Sequence, residues 1–359
     1  MEIFLTDPLV RILIALGMAL ILCLIFIPPV VEIARLKSLV KLSNERASHT
    51  GDIPILGGVA ILAAFVITAL LSIKMYLFPN LQYTLVGLII ISMVGIRDDI
   101  LEMRAWLKLL GQVLGSLVAT DMGWIRLTNL HGFLGVYEIH HQVAVLLSIF
   151  VFIVIINSFN LIDGIDGLAS GIGIIASASF GIWFFLAGSY EMAIISFSLI
   201  GALIAFFYFN VFGKKRKVFM GDTGSMMIGY VVAVMAVWFN ELNLDTATPY
   251  HINAAPAVSM AILALPLFDT LRVFTLRIIG GKSPFNPDRL HLHHKLHDLG
   301  LSHIQTTFIL IGINLFFIIL AFILQVFIHN IPLLLAFFLV LSLLLSAIPY
   351  YFIKPKEIK

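Results

Sequence analysis

The sequence predicts an all-α fold: a polytopic integral membrane helical bundle of about eleven transmembrane helices. It reads as a single transmembrane domain over residues 1–359, N-terminus outside and C-terminus cytoplasmic. Three observations carry this. Hydrophobic residues make up 60% of the chain and charged ones 12%, where a soluble domain has roughly 25% charged residues. Such a chain cannot cover itself with a polar surface. Apolar runs recur at close to the roughly 20 residues a span needs. Lastly, Lys and Arg concentrate in alternate loops.

The first run, near 9–31, is too long for a signal-peptide core, and Glu2 and Asp7 flank it instead of a basic cluster, so it reads as an uncleaved span. The single cysteine, Cys23, lies inside it, so the chain has no disulfide framework. Further runs follow near 55–74, 82–97, 105–122, 143–158, 168–187, 191–211, 223–240, 256–279, 306–328 and 331–353. Some are short or broken by Gly, which leaves ten or twelve spans open. With eleven, one set of loops holds nineteen of the 22 Lys and Arg residues, while Arg11, Lys74 and Arg126 fall near the other side. Positive loops stay in the cytoplasm, which sets the orientation.

Four polar clusters then face the cytoplasm at span ends or in loops. They are "GIRDDI" with Asp98 and Asp99, "NSFNLIDGIDGLASG" with Asn157, Asn160, Asp163 and Asp166, "VFMGDTGS" with Asp222, and "NPDRLHLHH" with Asp288, Arg289, His291, His293 and His294. Asp98, Asp99, Asp163, Asp166 and Asp222, gathered at one membrane face, would repel without a cation. Oxygen donors with no Cys suit Mg²⁺ or Mn²⁺, and Mg²⁺ takes one or two carboxylates plus substrate phosphates. Taken singly, each Asp could equally cap a helix or pair with a loop cation. In Asn-x-x-Asn-x-x-Asp-Gly the polar residues recur at i, i+3 and i+6, one stripe of a helix that Gly164 can end. "MGDTGS" opens a span, where free backbone N–H groups suit an anion. The preceding "KKRK" fits positive-inside topology and anionic headgroups as well as a phosphate.

The loop "SPFNPDRLHLHHKLHDLGLSH" carries five of the eleven histidines. It has neither the His-Glu-x-x-His of a zinc hydrolase nor a Cys for a structural zinc. Beside Arg289, whose guanidinium fork suits phosphate, His291, His293 and His294 read as a phosphate-binding loop. A zinc site on His293 and His297 and a merely solvated loop are the competing readings. Phe219, three residues before Asp222, could stack on a nucleobase or pack at a helix end.

Together "IPILGGVAIL", "GIRDDI", "NSFNLIDGIDGLASG", "KVFMGDTGSMMIG" and "DRLHLHH" resemble, in order, the motifs of the polyprenyl-phosphate N-acetylhexosamine-1-phosphate transferases. That superfamily also contains phospho-MurNAc-pentapeptide translocase. The resemblance covers roughly residues 44–300 and implies an Mg²⁺-dependent transfer of sugar-1-phosphate from a UDP-N-acetylhexosamine to a polyprenyl phosphate, releasing UMP. By the same resemblance Asp222 ligands the metal (Mg²⁺, with Mn²⁺ as substitute). Asp98, Asp99 and Asp163 are the catalytic candidates. Asn157, Asn160 and Asp166 orient the nucleotide, Phe219 stacks on uracil, and Arg289, His291, His293 and His294 hold phosphates.

The pentapeptide translocases carry an uninterrupted His triplet where this chain has Leu292 between His291 and His293. That favours a simple UDP-sugar, UDP-GlcNAc first, and leaves the translocase as the alternative. The implied partners are the UDP-sugar, the lipid phosphate and the membrane, with no nucleic acid. Related enzymes are dimers, so a homodimer is carried by resemblance alone. The implied location is a bacterial plasma membrane with the site facing the cytoplasm. Two other classes compete. An ion-coupled transporter would place acids near mid-span, and Asp269 alone fits that. A CDP-alcohol phosphatidyltransferase would follow its Asp-Gly with Ala-Arg, which "DGIDG" lacks.

Overall fold

The computed structural model describes residues 7–41, 53–74, 77–281 and 290–352. It is a bundle of α-helices with two short antiparallel strand pairs. The helix α1 (Pro8–Leu36) starts on Asp7, whose carboxylate accepts from the Leu9 N–H at 2.8 Å, with Pro8 at the position where a missing N–H costs nothing. Ala15, Ala19, Cys23, Ile27, Val31 and Ala34 form its buried stripe. That stripe packs on α7, where Gly201 has room for no side chain: a Cβ there would collide with the Leu16 carbonyl.

The strands β1 (Val40–Lys41) and β2 (Ile53–Pro54) pair before α2 (Gly57–Ser72), α3 (Leu81–Ile100) and α4 (Ala105–Leu117). The last of these runs on as a π-helical turn, Val118–Met122. A hairpin of β3 (Asn129–Phe133) and β4 (Val136–Glu138) leads to α5 (His141–Ile162), α6 (Leu168–Leu186) and α7 (Tyr190–Phe207), with a second π-helical turn at Tyr208–Phe212. Then come α8 (Gly221–Leu242), α9 (Ala255–Ile262), α10 (Ala264–Ile279), α11 (Leu292–Asp298), α12 (His303–Phe327) and α13 (Ile331–Phe352).

All eleven expected spans have helical counterparts, with one geometric correction. The run expected as one span over 256–279 is bent by 81° between α9 and α10. Pro266, in the first turn of α10, has no N–H to give to a continuous helix. Asn314 of α12, fully buried, bridges the break: its amide donates to the Ile262 carbonyl at 3.0 Å and its oxygen accepts from the Leu265 N–H at 2.9 Å. Both freed backbone groups are thereby satisfied inside the protein.

Among the described residues, seven helices are long and apolar enough to cross a membrane, or eight with the bent pair counted as one span. The protein is thus a multi-pass helical membrane protein. The expected spans that fall short of this measure, α2, α3 and α4, serve the site together with α5 and α8. The 16-residue α2 rises only about 24 Å. Arg97, Asp98 and Asp99 end α3, and α4 carries Lys108.

At the centre stands α8, buried almost throughout from Thr223 to Asn240 and packed against α2, α3, α5 and α6. Its small residues let neighbouring backbones approach. A Cβ on Gly58 of α2 would collide with the Gly224 nitrogen, and one on Gly95 of α3 would lie 2.5 Å from the Thr223 Cα. Close packing of this kind substitutes in a membrane for the hydrophobic effect, and it fixes the start of α8 relative to the ends of α2 and α3.

Candidate active site

The first turn of α8 organises the site. Gly221 takes φ +71°, which favours glycine, and a Cβ there would also strike the Ile55 carbonyl and the Asp99 carboxylate. Asp99 caps the helix from the end of α3. Its Oδ1 accepts from the Asp222 N–H at 2.7 Å, and its Oδ2 accepts from the Thr223 N–H at 3.0 Å and the Thr223 hydroxyl at 2.6 Å. Burial pushes this carboxyl, which lies beyond the apolar part of α3, up to about 6, against those donors. A negative group at a helix N-terminus satisfies N–H groups that have no partner inside the helix.

Asp98, the next residue back, points elsewhere. Its Oδ1 accepts from the Met103 N–H at 2.7 Å, while its Oδ2 lies 2.5 Å from the Lys108 ammonium. The same ammonium lies 2.8 Å from Asp222 Oδ2. Asp98 and Asp222 also contact each other, and Asn160 contacts Asp222. Asn160 further donates to Ser225 Oγ at 3.0 Å. One turn earlier on α5, Asn157 exchanges amide hydrogen bonds with the buried Gln112 of α4, at 2.7 and 3.3 Å.

The helix α5 ends at Ile162, with Asp163 as its C-cap. Asn157 and Asn160 therefore lie in its last turns, as the polar stripe predicts, and the intervening turn is only 163–167. Gly167 takes φ +79° and gives its N–H to Asn210 Oδ1 at 2.6 Å, while Asn210 donates to the Val218 carbonyl at 2.9 Å. Asp166 is buried in this turn against Lys217 at 2.6 Å and His303 at 3.4 Å. Burial alone would raise its carboxyl, but the hydrogen bonds and charges of His303 and Lys217 outweigh that and hold it below the usual range.

The histidine segment closes over the turn. His291 meets Asp269 of α10, ring Nδ1 to Oδ2 at 2.9 Å. The other Asp269 oxygen accepts from Arg272 at 2.9 Å and from the Leu292 N–H at 3.1 Å. His293 is buried against the turn, so closely that a Cβ on Gly164 would collide with its Nε2. That Nε2 has no hydrogen-bond partner among the described residues. The His293 ring stands 4.2 Å from that of His294.

Burial first, then the neighbouring His294, pushes the His293 imidazole down to about 3. Folded His293 is thus neutral where an unfolded one, near 6.5, takes up a proton. Stability therefore falls as pH drops from about 6.5 towards 3, by up to about 1.4 kcal/mol per pH unit. We expect His293→Gln to flatten the acid limb of a thermal-stability profile measured between pH 4 and 7. An unchanged slope would show that His293 is not the group protonated on unfolding.

The fold thus brings Asp98, Asp99, Asp222, Asn160 and Asn157 together across α3, α4, α5 and α8. It joins them through Asp163 and Gly164 to His293, His291 and His294. Arg289 lies outside the described residues. Phe219 is half-buried, and its backbone forms a strap: its N–H reaches the Pro54 carbonyl at 2.8 Å and its carbonyl accepts from the Gly57 N–H at 3.0 Å. Sequence reasoning missed Lys108, Gln112, Asn210 and Asp269 as parts of this assembly. Lys108 and Gln112 are spaced i, i+4 in "AWLKLLGQ", one helix face, and that was the available signal.

A divalent metal fits the donors. Among the described residues no three His, Cys, Asp or Glu converge on one point. Asp98 and Asp222 do converge, and a cation, the Lys108 ammonium, sits at their focus. Two carboxylates with further oxygen sites from water and phosphate are what Mg²⁺ takes.

Fold and site define a class: a multi-pass helical membrane protein with paired carboxylates, amides and imidazoles gathered at helix ends. The chain belongs to glycosyl transferase family 4, whose family model matches residues 81–240. It is 30% identical over 283 residues to the undecaprenyl-phosphate alpha-N-acetylglucosaminyl 1-phosphate transferase of Escherichia coli (strain K12), covering 78% of this chain and 74% of that one. The Yersinia pestis protein of the same name is 30% identical over 276 residues, covering 76% and 73%. The probable undecaprenyl-phosphate N-acetylglucosaminyl 1-phosphate transferase of Bacillus subtilis (strain 168) is 29% identical over 321 residues, covering 89% and 87%.

Proposed function

We propose that this protein transfers GlcNAc-1-phosphate from UDP-GlcNAc to undecaprenyl phosphate, releasing UMP and leaving a lipid-linked diphosphate sugar for cell-envelope polysaccharide synthesis. The observation that carries this is the Asp98–Lys108–Asp222 cluster at the start of α8, in a chain 30% identical to relatives bearing that name. The proposed setting is a bacterial plasma membrane, with eleven spans and the cluster at the cytoplasmic face. Its support is that exposed Arg97, Arg104, Lys214, Lys215 and Arg216 flank the segments that supply Asp98 and Asp222. A water-soluble donor and a membrane-bound acceptor can meet at that level.

Phosphoryl transfer needs mainly positioning and charge neutralisation. Mg²⁺, held by Asp222 and Asp98, would supply charge neutralisation on the diphosphate when bound. Asp99 holds the first turn of α8 and so aims Asp222. In this reading Asp98 is also the base for the proton of the lipid phosphate, through the oxygen turned away from the metal. An oxygen of that phosphate then bonds to the phosphorus bearing the sugar, as the bond from that phosphorus to the bridging oxygen breaks and its electron pair leaves with UMP. Asp163, beside the histidine segment, is the second carboxylate candidate, for a route through a phospho-enzyme. Asn157 and Asn160 orient the nucleotide, and Phe219 packs on its base. His291, His293 and His294 line the phosphate side, and Arg289 is the proposed guanidinium fork for phosphate. Asp166, expected to orient the nucleotide, does so in this reading through the shape of the turn, since Lys217 and His303 engage its carboxylate.

The direct test is UMP release by purified protein with undecaprenyl phosphate, Mg²⁺ and UDP-GlcNAc, UDP-GalNAc or UDP-MurNAc-pentapeptide. We expect release with UDP-GlcNAc, lost with EDTA. Release with the pentapeptide donor alone would make it a translocase, and release with none would remove the transferase reading. Asp269, the one acid that fits the transporter reading, is engaged by Arg272, His291 and the Leu292 N–H, a clamp on the histidine segment that supports the transferase reading.

A further inference from the structure

We infer that Lys108 is a built-in stand-in for the divalent cation. Its ammonium holds Asp98 and Asp222 together in the metal-free enzyme, is displaced when the metal enters, and is then free to meet the anionic donor. The inference rests on the metal site proposed above and goes beyond it to the state of that site before metal arrives.

Two carboxylates in contact repel unless a positive charge lies between them. Here the Lys108 Nζ is 2.5 Å from Asp98 and 2.8 Å from Asp222, so a single ammonium serves both. The three partners differ in how firmly they are held. Asp98 ends α3 and is fixed by the Met103 N–H at 2.7 Å. Asp222 stands in the first turn of α8, whose backbone N–H groups are clamped by Asp99. Lys108 is held by nothing so rigid: it projects from α4 on a flexible four-carbon stem and is half-buried. When a divalent ion enters, the carboxylates therefore keep their places and the lysine yields.

The arrangement has two consequences. The metal enters by exchange with the ammonium, so the wild type holds it less tightly than an uncharged site would. The displaced ammonium, one side-chain length away, becomes a counter-charge for a diphosphate or for the lipid phosphate. Lys108 is a positioning residue by this argument, and its signature lies in metal binding and not in turnover alone.

The test uses Mn²⁺ binding, followed by the paramagnetic resonance of free Mn²⁺, with thermal unfolding recorded in parallel on the same detergent-solubilised protein. The variant is Lys108→Cys. The native Cys23 is fully buried and stays out of thiol chemistry. Loss of the competing ammonium should tighten Mn²⁺ binding about tenfold or more, because a positive charge in contact with both ligands is gone. Without metal the variant should unfold at a lower temperature than the wild type, and Mn²⁺ should restore it.

Treatment with 2-aminoethyl methanethiosulfonate rebuilds an ammonium on the introduced sulfur and should return both readings to wild type; the neutral methyl reagent should return neither. Should the cysteine variant not fold, Lys108→Gln gives the same comparison with only the charge removed. Mn²⁺ affinity equal to or weaker than wild type in the uncharged variant would overturn the stand-in while leaving the metal site intact. Absence of Mn²⁺ binding by wild type and variant alike would remove the metal site, and the stand-in with it.

Discussion

Asp222→Asn is expected to stop UMP release while the protein stays folded. The substitution preserves volume and the backbone hydrogen bonds that Asp99 makes to residues 222 and 223, so α8 keeps its cap. It removes one of the two negative charges at the focus now occupied by Lys108. The expected loss in turnover is about a hundred- to a thousandfold, the scale seen when one preorganised electrostatic contact to a developing charge is deleted. Thermal unfolding in the absence of metal should change little, since Lys108 still neutralises Asp98. Retained UMP release would dismiss Asp222 as a metal ligand. A large drop in unfolding temperature would instead recast it as a structural residue.

The largest effect on stability is expected from Asp269→Ala. This carboxylate is buried and accepts from the Arg272 guanidinium, the His291 ring and the Leu292 N–H. Its removal strips the buried Arg272 of this acceptor, and breaking a buried ion pair from one side costs about 3–5 kcal/mol. The same change frees the histidine segment, because two of those three bonds reach His291 and the start of α11. We expect a clear fall in unfolding temperature together with a raised KM for the UDP-sugar. Asp269→Asn, which keeps an oxygen acceptor, should be milder in both. An unchanged unfolding temperature for the alanine variant would mean that Asp269 does not hold the segment.

Much of the architecture was legible because its signals are local. Each apolar run that reads as a span is a helix, except the broken one over 256–279, since a membrane allows few other ways to satisfy a backbone. The i, i+3, i+6 stripe of Asn157, Asn160 and Asp163 lies at the end of α5, where Gly164 follows its C-cap. The break in the run over 256–279 was not legible. Pro266 alone permits a kink, but the 81° bend holds because Asn314, some fifty residues away, takes up both freed backbone groups. The same limit explains Asp99. A pair of adjacent aspartates reads as two equivalent acids, and only the position of α8 gives one of them a helix to cap and the other a cation.

By itself the sequence determined that this is a multi-pass helical membrane protein. It also marked four polar clusters at span ends and in a loop, because composition, run length and the placing of charge are properties of the chain in order. The tertiary structure decided what each charge does. Lys108 became the partner of two aspartates, Asp166 the partner of Lys217, and Asp269 the clamp on His291. Those pairings join residues from 10 to 114 positions apart, and ion pairing depends on distance in space, which linear order does not encode.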